Sequence, residues 1–69
     1  MKYKVNVKLG KKIRKFREEK DLTQDELAEK VGLHPTTIAR IERGESNSPV
    51  FTVYKIAEAL RRSMKDLFD

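Results

Sequence analysis

An all-α domain of five short helices is the fold this chain predicts. Three observations carry the prediction: apolar residues recur at helical spacing, capping signals open the segments, and glycines punctuate them. No strand is expected. Only Tyr3, Val5 and Val7 alternate with polar residues, and a three-position alternation at a terminus reads equally as a flexible arm over residues 1–5. At 69 residues and without cysteine, residues 1–69 form a single domain that buries roughly 60% of its unfolded surface. Its core is one cluster of about a dozen side chains, and no disulfide framework supports it.

The first helix spans residues 5–20, with Val5, Leu9, Ile13 and Phe16 as an apolar stripe and charges on the other sides. Gly10 in its interior weakens it by up to ~1 kcal/mol relative to alanine. Thr23-Gln24-Asp25-Glu26 then forms a capping box, with Leu22 and Leu27 as the hydrophobic staple across it. Gly32 supplies the left-handed stop. A third helix begins almost at once, because Leu33 and Ile38 repeat the staple spacing around His34 as N-cap and Pro35 is preset for the first helical position. Gly44 ends it, and Glu45 to Ser48 read as a polar loop. The fourth helix enters near Pro49 and runs to about Leu60, with Val50, Val53, Ile56, Ala57 and Leu60 on its inner face. Ser63 and Asp66 give a weaker capping signal for a last short turn carrying Leu67 and Phe68.

Charge narrows the function. The chain carries 16 Lys+Arg against 11 Asp+Glu, a net charge of +5. Residues 1–20 hold nine basic and two acidic residues, a local +7, whereas the remainder is mildly acidic. Charge concentrated on one element points to a polyanionic partner, nucleic acid or an anionic membrane surface; the alternative is a solvated lysine-rich helix. One histidine without cysteine cannot build a Cys/His zinc site. No paired acid and base and no phosphate-cradling glycine loop occur, so a non-enzymatic protein without metal, cofactor or small-molecule ligand is expected. The N-terminus lacks an apolar h-region and no run approaches ~18 apolar residues, which predicts a soluble, cytoplasmic protein without leader or membrane span.

Two short capped helices joined through Gly32 by a turn of about three residues have the form of a helix-turn-helix unit. So short a turn forces the second helix across the first, leaving the second free to enter a major groove. At about 100° per residue, Ile38 and Ile41 point inward and Thr36, Ala39, Arg40 and Arg43 outward, with Pro35 and Thr37 at the flanks. Two arginines and no acid face out. Arg40 is placed for bidentate recognition of guanine, the alternative being a phosphate-bound or solvated arginine, and Thr36 for a thymine methyl or a phosphate. On the first helix, Lys11 and Lys12 are the basic residues nearest to phosphates in this arrangement.

From Leu9 to Phe68 the chain resembles the Cro/phage-repressor (XRE-like) helix-turn-helix family. The likeness rests on Leu22-Thr23-Gln24 with Glu26-Leu27-Ala28, Val31-Gly32, Ile38 with Ile41-Glu42-Arg43-Gly44, and Ile56-Ala57 with Leu60. Gly32-Leu33-His34-Pro35 further resembles the controller proteins of restriction-modification systems. The resemblance implies a lambda-repressor-like domain that binds double-stranded DNA, as a homodimer on a palindromic operator, and regulates transcription. By the same likeness Pro35, Thr36 and Arg40 read bases, while Gln24, Thr37, Arg43, Ser46 and Asn47 contact phosphate. Glu42 pairs with Arg17 near the end of the first helix. Pro35 departs from relatives that carry an amide there, because it has no side-chain donor. Asp21 and Arg61 stand where the family often has glycine; a left-handed backbone at Arg61 would be strained by ~1 kcal/mol. Phe51 and Tyr54 lie off the inner face of the fourth helix and form an apolar patch suited to the dimer interface. The alternative is an antitoxin-like or coactivator-like protein-interaction module on the same fold, against which the outward arginines speak.

Overall fold

A computed structural model describes residues 3–69 and contains helices α1 (Lys4–Glu19), α2 (Gln24–Val31), α3 (Pro35–Glu42), α4 (Val50–Ala59) and α5 (Met64–Phe68). The described residues contain no strand. All five helices feed one core: Leu9, Ile13 and Phe16 from α1, Leu27, Ala28 and Val31 from α2, Ile38 and Ile41 from α3, Val53, Ile56 and Ala57 from α4, and Leu67 from α5. Leu22 and Leu33, the outer halves of the two staples, pack against its edge. Helix α1 lies on α3 and α5, while α2 lies on α3 and α4, so the two helices of the unit are braced from opposite sides. None of the described helices is long and apolar enough to cross a membrane.

Two apolar assignments change. Val5 is exposed, although it extends the α1 stripe, and Val50 is 74% exposed rather than inward. Both sit on the first turn of their helices, where the chain overshoots the packed layer. Between them runs an open groove of about 230 Å³ lined by Leu9, Val53, Met64 and Phe68 as well. The proposed arm over residues 1–5 also changes: Tyr3 is the N-cap and Lys4 and Val5 are helical, while Met1 and Lys2 lie outside the described residues.

Every connection after a helix closes with a left-handed residue. Gly32 (φ 70°) and Gly44 (φ 75°) serve α2 and α3, but Asp21 and Arg61 (both φ 56°) serve α1 and α4. The same backbone bond recurs: the Leu22 N–H donates to Arg17 O (3.1 Å) and the Arg62 N–H to Ala57 O (2.9 Å), the long-range bond of the Schellman motif. Each of the two non-glycine stops is followed two residues later by a capping box, Thr23 with Glu26 and Ser63 with Asp66. Hydrogen bonds from the Thr23 amide and hydroxyl hold the Glu26 carboxyl below its ordinary range. A non-glycine left-handed residue carries a Cβ penalty that aspartate tolerates better than arginine. Arg61→Gly is therefore expected to stabilise the fold by about 0.5–1 kcal/mol, after allowing for the greater freedom of glycine in the unfolded chain, and Asp21→Gly by less. Urea denaturation measures both, and a loss of stability in Arg61→Gly would show that the backbone there is unstrained.

Gly44 has a second reason to be glycine. A Cβ there would stand 2.8 Å from Val7 Cα, so the chain leaving α3 lies directly on the first half of α1. This contact, with the Asn6 side-chain Nδ2 donating to the Asn47 side-chain Oδ1, ties the 45–48 loop to α1.

Candidate nucleic-acid interface

The surface is built by α2, α3 and the loop that follows. Helix α3 is set by His34, whose Nδ1 accepts the Thr36 amide at 3.1 Å, and by Pro35 at its first position. With Ile38 and Ile41 buried, Thr36 and Arg40 are exposed and Pro35, Thr37 and Ala39 half-buried around them. The single acid of α3, Glu42, is buried and turned away. The outward face is thus polar and cationic.

Beneath it lies an ion pair. Arg17 Nε donates to Glu42 Oε2 at 2.6 Å and Nη2 to Oε1 at 3.1 Å, while Nη1 donates to the Leu22 carbonyl at 2.7 Å. Only 10% of the Arg17 side chain and 3% of that of Glu42 remain exposed. The hydrogen bond to Glu42 raises the arginine pKa above its ordinary value, outweighing the cost of burial. This bidentate geometry is the fork-on-carboxylate arrangement that only arginine makes.

Gln24, in the first turn of α2, joins the same group. Its Nε2 donates to Glu42 Oε1 at 3.0 Å, which fixes the side chain and leaves its second N–H and its carbonyl for another partner. Sequence reading missed this link. The two residues are 18 positions apart, and no local pattern signals a bond between a first-turn amide and a last-turn carboxylate of the next helix.

The remaining sequence-predicted residues divide. Arg43 caps the end of α3 and is exposed, but its guanidinium is paired with Glu45 at 3.1 Å. Asn47 is exposed and held by Asn6, and Ser46 is half-buried. The loop then enters α4 at Pro49, with no side-chain cap and no acid in the first turn, so the first amides of α4 are left without a side-chain acceptor. Lys11 and Lys12 do not share a face: Lys11 is exposed beside Lys4, Val7 and Lys8, while Lys12 is half-buried about 100° around the helix. Arg14, Arg17, Arg43 and Arg62 all face carboxylates. Among the described residues no carboxylate is paired with Arg40.

Away from this surface, Phe51 is 70% and Tyr54 47% exposed on α4. Lys55 Nζ lies 5.6 Å from the Phe51 ring centroid, and the Tyr54 hydroxyl donates to Glu58 at 3.1 Å, which raises the phenol pKa. Among the described residues no group of three or more His, Asp or Glu side chains converges to hold a metal.

Comparison with known proteins agrees with this arrangement. The helix-turn-helix family model HTH_3 matches residues 13–67. An uncharacterised HTH-type transcriptional regulator of Archaeoglobus fulgidus is 42% identical over 57 residues, covering 83% of this chain and 81% of the relative. The crystal structure of the restriction-modification controller protein C.AhdI from Aeromonas hydrophila superposes with a TM-score of 0.91 at 35% identity, covering 96% of this chain and all of that one. The biofilm master regulator SinR, solved in complex with DNA, superposes with a TM-score of 0.83 at 32% identity, covering 88% of this chain and 98% of that one. A five-helix core, a capped α2–turn–α3 unit with a cationic outer face, and a family match over most of the chain lead to one conclusion: this protein belongs to the XRE-like HTH_3 family of helix-turn-helix transcriptional regulators.

Proposed function

We propose that the protein is a cytoplasmic, non-enzymatic regulator that binds double-stranded DNA at a specific palindromic operator as a homodimer, with α3 in the major groove. The observation that carries this reading is Arg40, exposed on a face of α3 without acids and paired with no described carboxylate, while most neighbouring arginines are held by the protein itself. Pro35, Thr36 and Arg40 meet base edges. Gln24, steadied by Glu42, and Thr37, Arg43, Ser46, Asn47, Lys11 and Lys12 serve the backbone. Arg43 exchanges Glu45 for a phosphate on binding. The DNA complex of SinR supports this docking by analogy. Selection from a random duplex pool followed by footprinting tests it: a recovered site with two-fold symmetry is expected, and recovery of no preferred sequence would sink it.

Arg40→Ala is expected to remove about 1–3 kcal/mol of discrimination and relax preference at one base pair per half-site, whereas Gln24→Ala or Lys11→Ala weakens all sequences about equally. Binding of each variant to matched and mismatched operators at fixed salt separates the two outcomes. An equal loss on both duplexes for Arg40→Ala would remove it from base readout.

The dimer rests on α4. Val50, Phe51 and Tyr54 are exposed on α4, and Phe68 of α5 is exposed beside the open groove, large apolar side chains of the kind that mark a partner surface when they cluster. Two-fold pairing through them would set the α3 helices about 34 Å apart, one turn of DNA. Phe51→Glu is expected to yield a monomer by light scattering with weakened operator binding; an unchanged dimer mass would take Phe51 out of the interface.

A further inference from the structure

We infer that Lys4, Lys8 and Lys11 form a second phosphate-binding stripe on α1, which takes the duplex flanking each operator half-site. The inference rests on the DNA-binding reading above and extends its α1 contact from Lys11 along the helix to Lys8 and Lys4, which that reading leaves unassigned. The three lysines stand at i, i+4 and i+7 of α1, hence on one face, and with Val7 they line a shallow hollow of about 300 Å³.

Two features separate this row from an ordinary solvated face. The first is its charge environment: residues 3–17 contain no acid, and no carboxylate among the described residues is paired with any of the three lysines. Of the other surface cations, Arg14, Arg43 and Arg62 are held by Glu18, Glu45 and Glu19 and Lys15 leans toward the Phe16 ring at 5.8 Å, whereas Arg40 of α3 is, like the stripe, paired with no described carboxylate. The second is continuity with the proposed interface. Val7, in the middle of the stripe, lies against Gly44, and Asn6 holds Asn47, so the stripe begins where the phosphate-facing loop ends.

The spacing fits a duplex. From Lys4 to Lys11 the helix rises about 10 Å, and one DNA strand presents a phosphate every ~3.4 Å of axis, so the row spans about three phosphates. An acidic protein surface fits less well, because the stripe offers only half-buried Val7 where a protein interface would have an apolar centre.

The test uses the full chain and the operator recovered by selection, as a minimal duplex and as one with about ten further base pairs on each side. The wild-type protein should bind the long duplex with a steeper dependence of log K on log salt, by about 0.9 for each added contact. The double variant Lys4→Gln/Lys8→Gln should lose about ten-fold or more on the long duplex in ~0.1 M salt, lose little on the minimal one, and bring the two salt slopes together. Equal wild-type slopes on both duplexes, or an equal loss by the variant on both, would overturn the stripe while leaving operator recognition intact. Failure to bind any duplex would overturn both readings together. Circular dichroism of the variant confirms that α1 is retained.

Discussion

Arg17→Met should destabilise the domain by about 3–5 kcal/mol, because it leaves the Glu42 carboxylate buried with only the Gln24 amide to solvate it. A chain of this length commonly has only about 3–10 kcal/mol of stability in total, so the single variant approaches unfolding at room temperature. Glu42→Leu should cost somewhat less. It strands a guanidinium, but Arg17 keeps its bond to the Leu22 carbonyl and retains a little contact with water. The double variant Arg17→Met/Glu42→Leu should be markedly more stable than the sum of the two losses, since neither charge remains to be desolvated. Denaturant titration of all four proteins measures the coupling. Strict additivity would show that the pair contributes nothing as a pair. A further readout distinguishes bracing from mere packing: in variants that stay folded, loss of Glu42 should weaken binding to every DNA sequence alike, through Gln24.

Gly10→Ala is the second large effect, and its sign runs against helix propensity. In an isolated helix the change would stabilise by up to ~1 kcal/mol. Here a Cβ at position 10 would stand 2.6 Å from the Glu42 carbonyl oxygen and closer still to that of Ile41. Both atoms are backbone at the end of α3, so neither can rotate aside. Relief requires α1 and α3 to separate, which would loosen the core and lengthen the Arg17–Glu42 bonds. A cost of about 2–3 kcal/mol is expected for alanine, in the upper range for overpacking, with greater loss for valine. Thermal denaturation decides the sign. A Gly10→Ala protein as stable as wild type would mean that α1 and α3 do not pack this closely.

These two variants mark where sequence reading ends. The five helices were legible because their signals are local: the stripe of Leu9, Ile13 and Phe16, the capping box at Thr23, the His34-Pro35 entry and the Gly32 and Gly44 stops each act within about one turn. The structure repeats them residue for residue. The Arg17–Glu42 pair was within reach because each residue directly follows a core residue and family likeness named the partner. Val5 and Val50 were misplaced for the opposite reason: periodicity states which side of a helix is apolar but not how far along the axis the opposing layer extends.

What the sequence determined by itself is therefore the set of helices, their inner faces and the cationic outer face of α3, all consequences of helical period and capping chemistry. What only the tertiary structure decided is how those faces meet. It turned Gly10 from a weak point into the place where α1 touches the α3 backbone, attached Gln24 to Glu42 and sent Lys11 and Lys12 to different surroundings. The reason is physical: capping and periodicity act over a few residues through backbone hydrogen bonds, whereas close approach, burial and charge pairing depend on distances between segments far apart in the chain, which exist only once the core has closed.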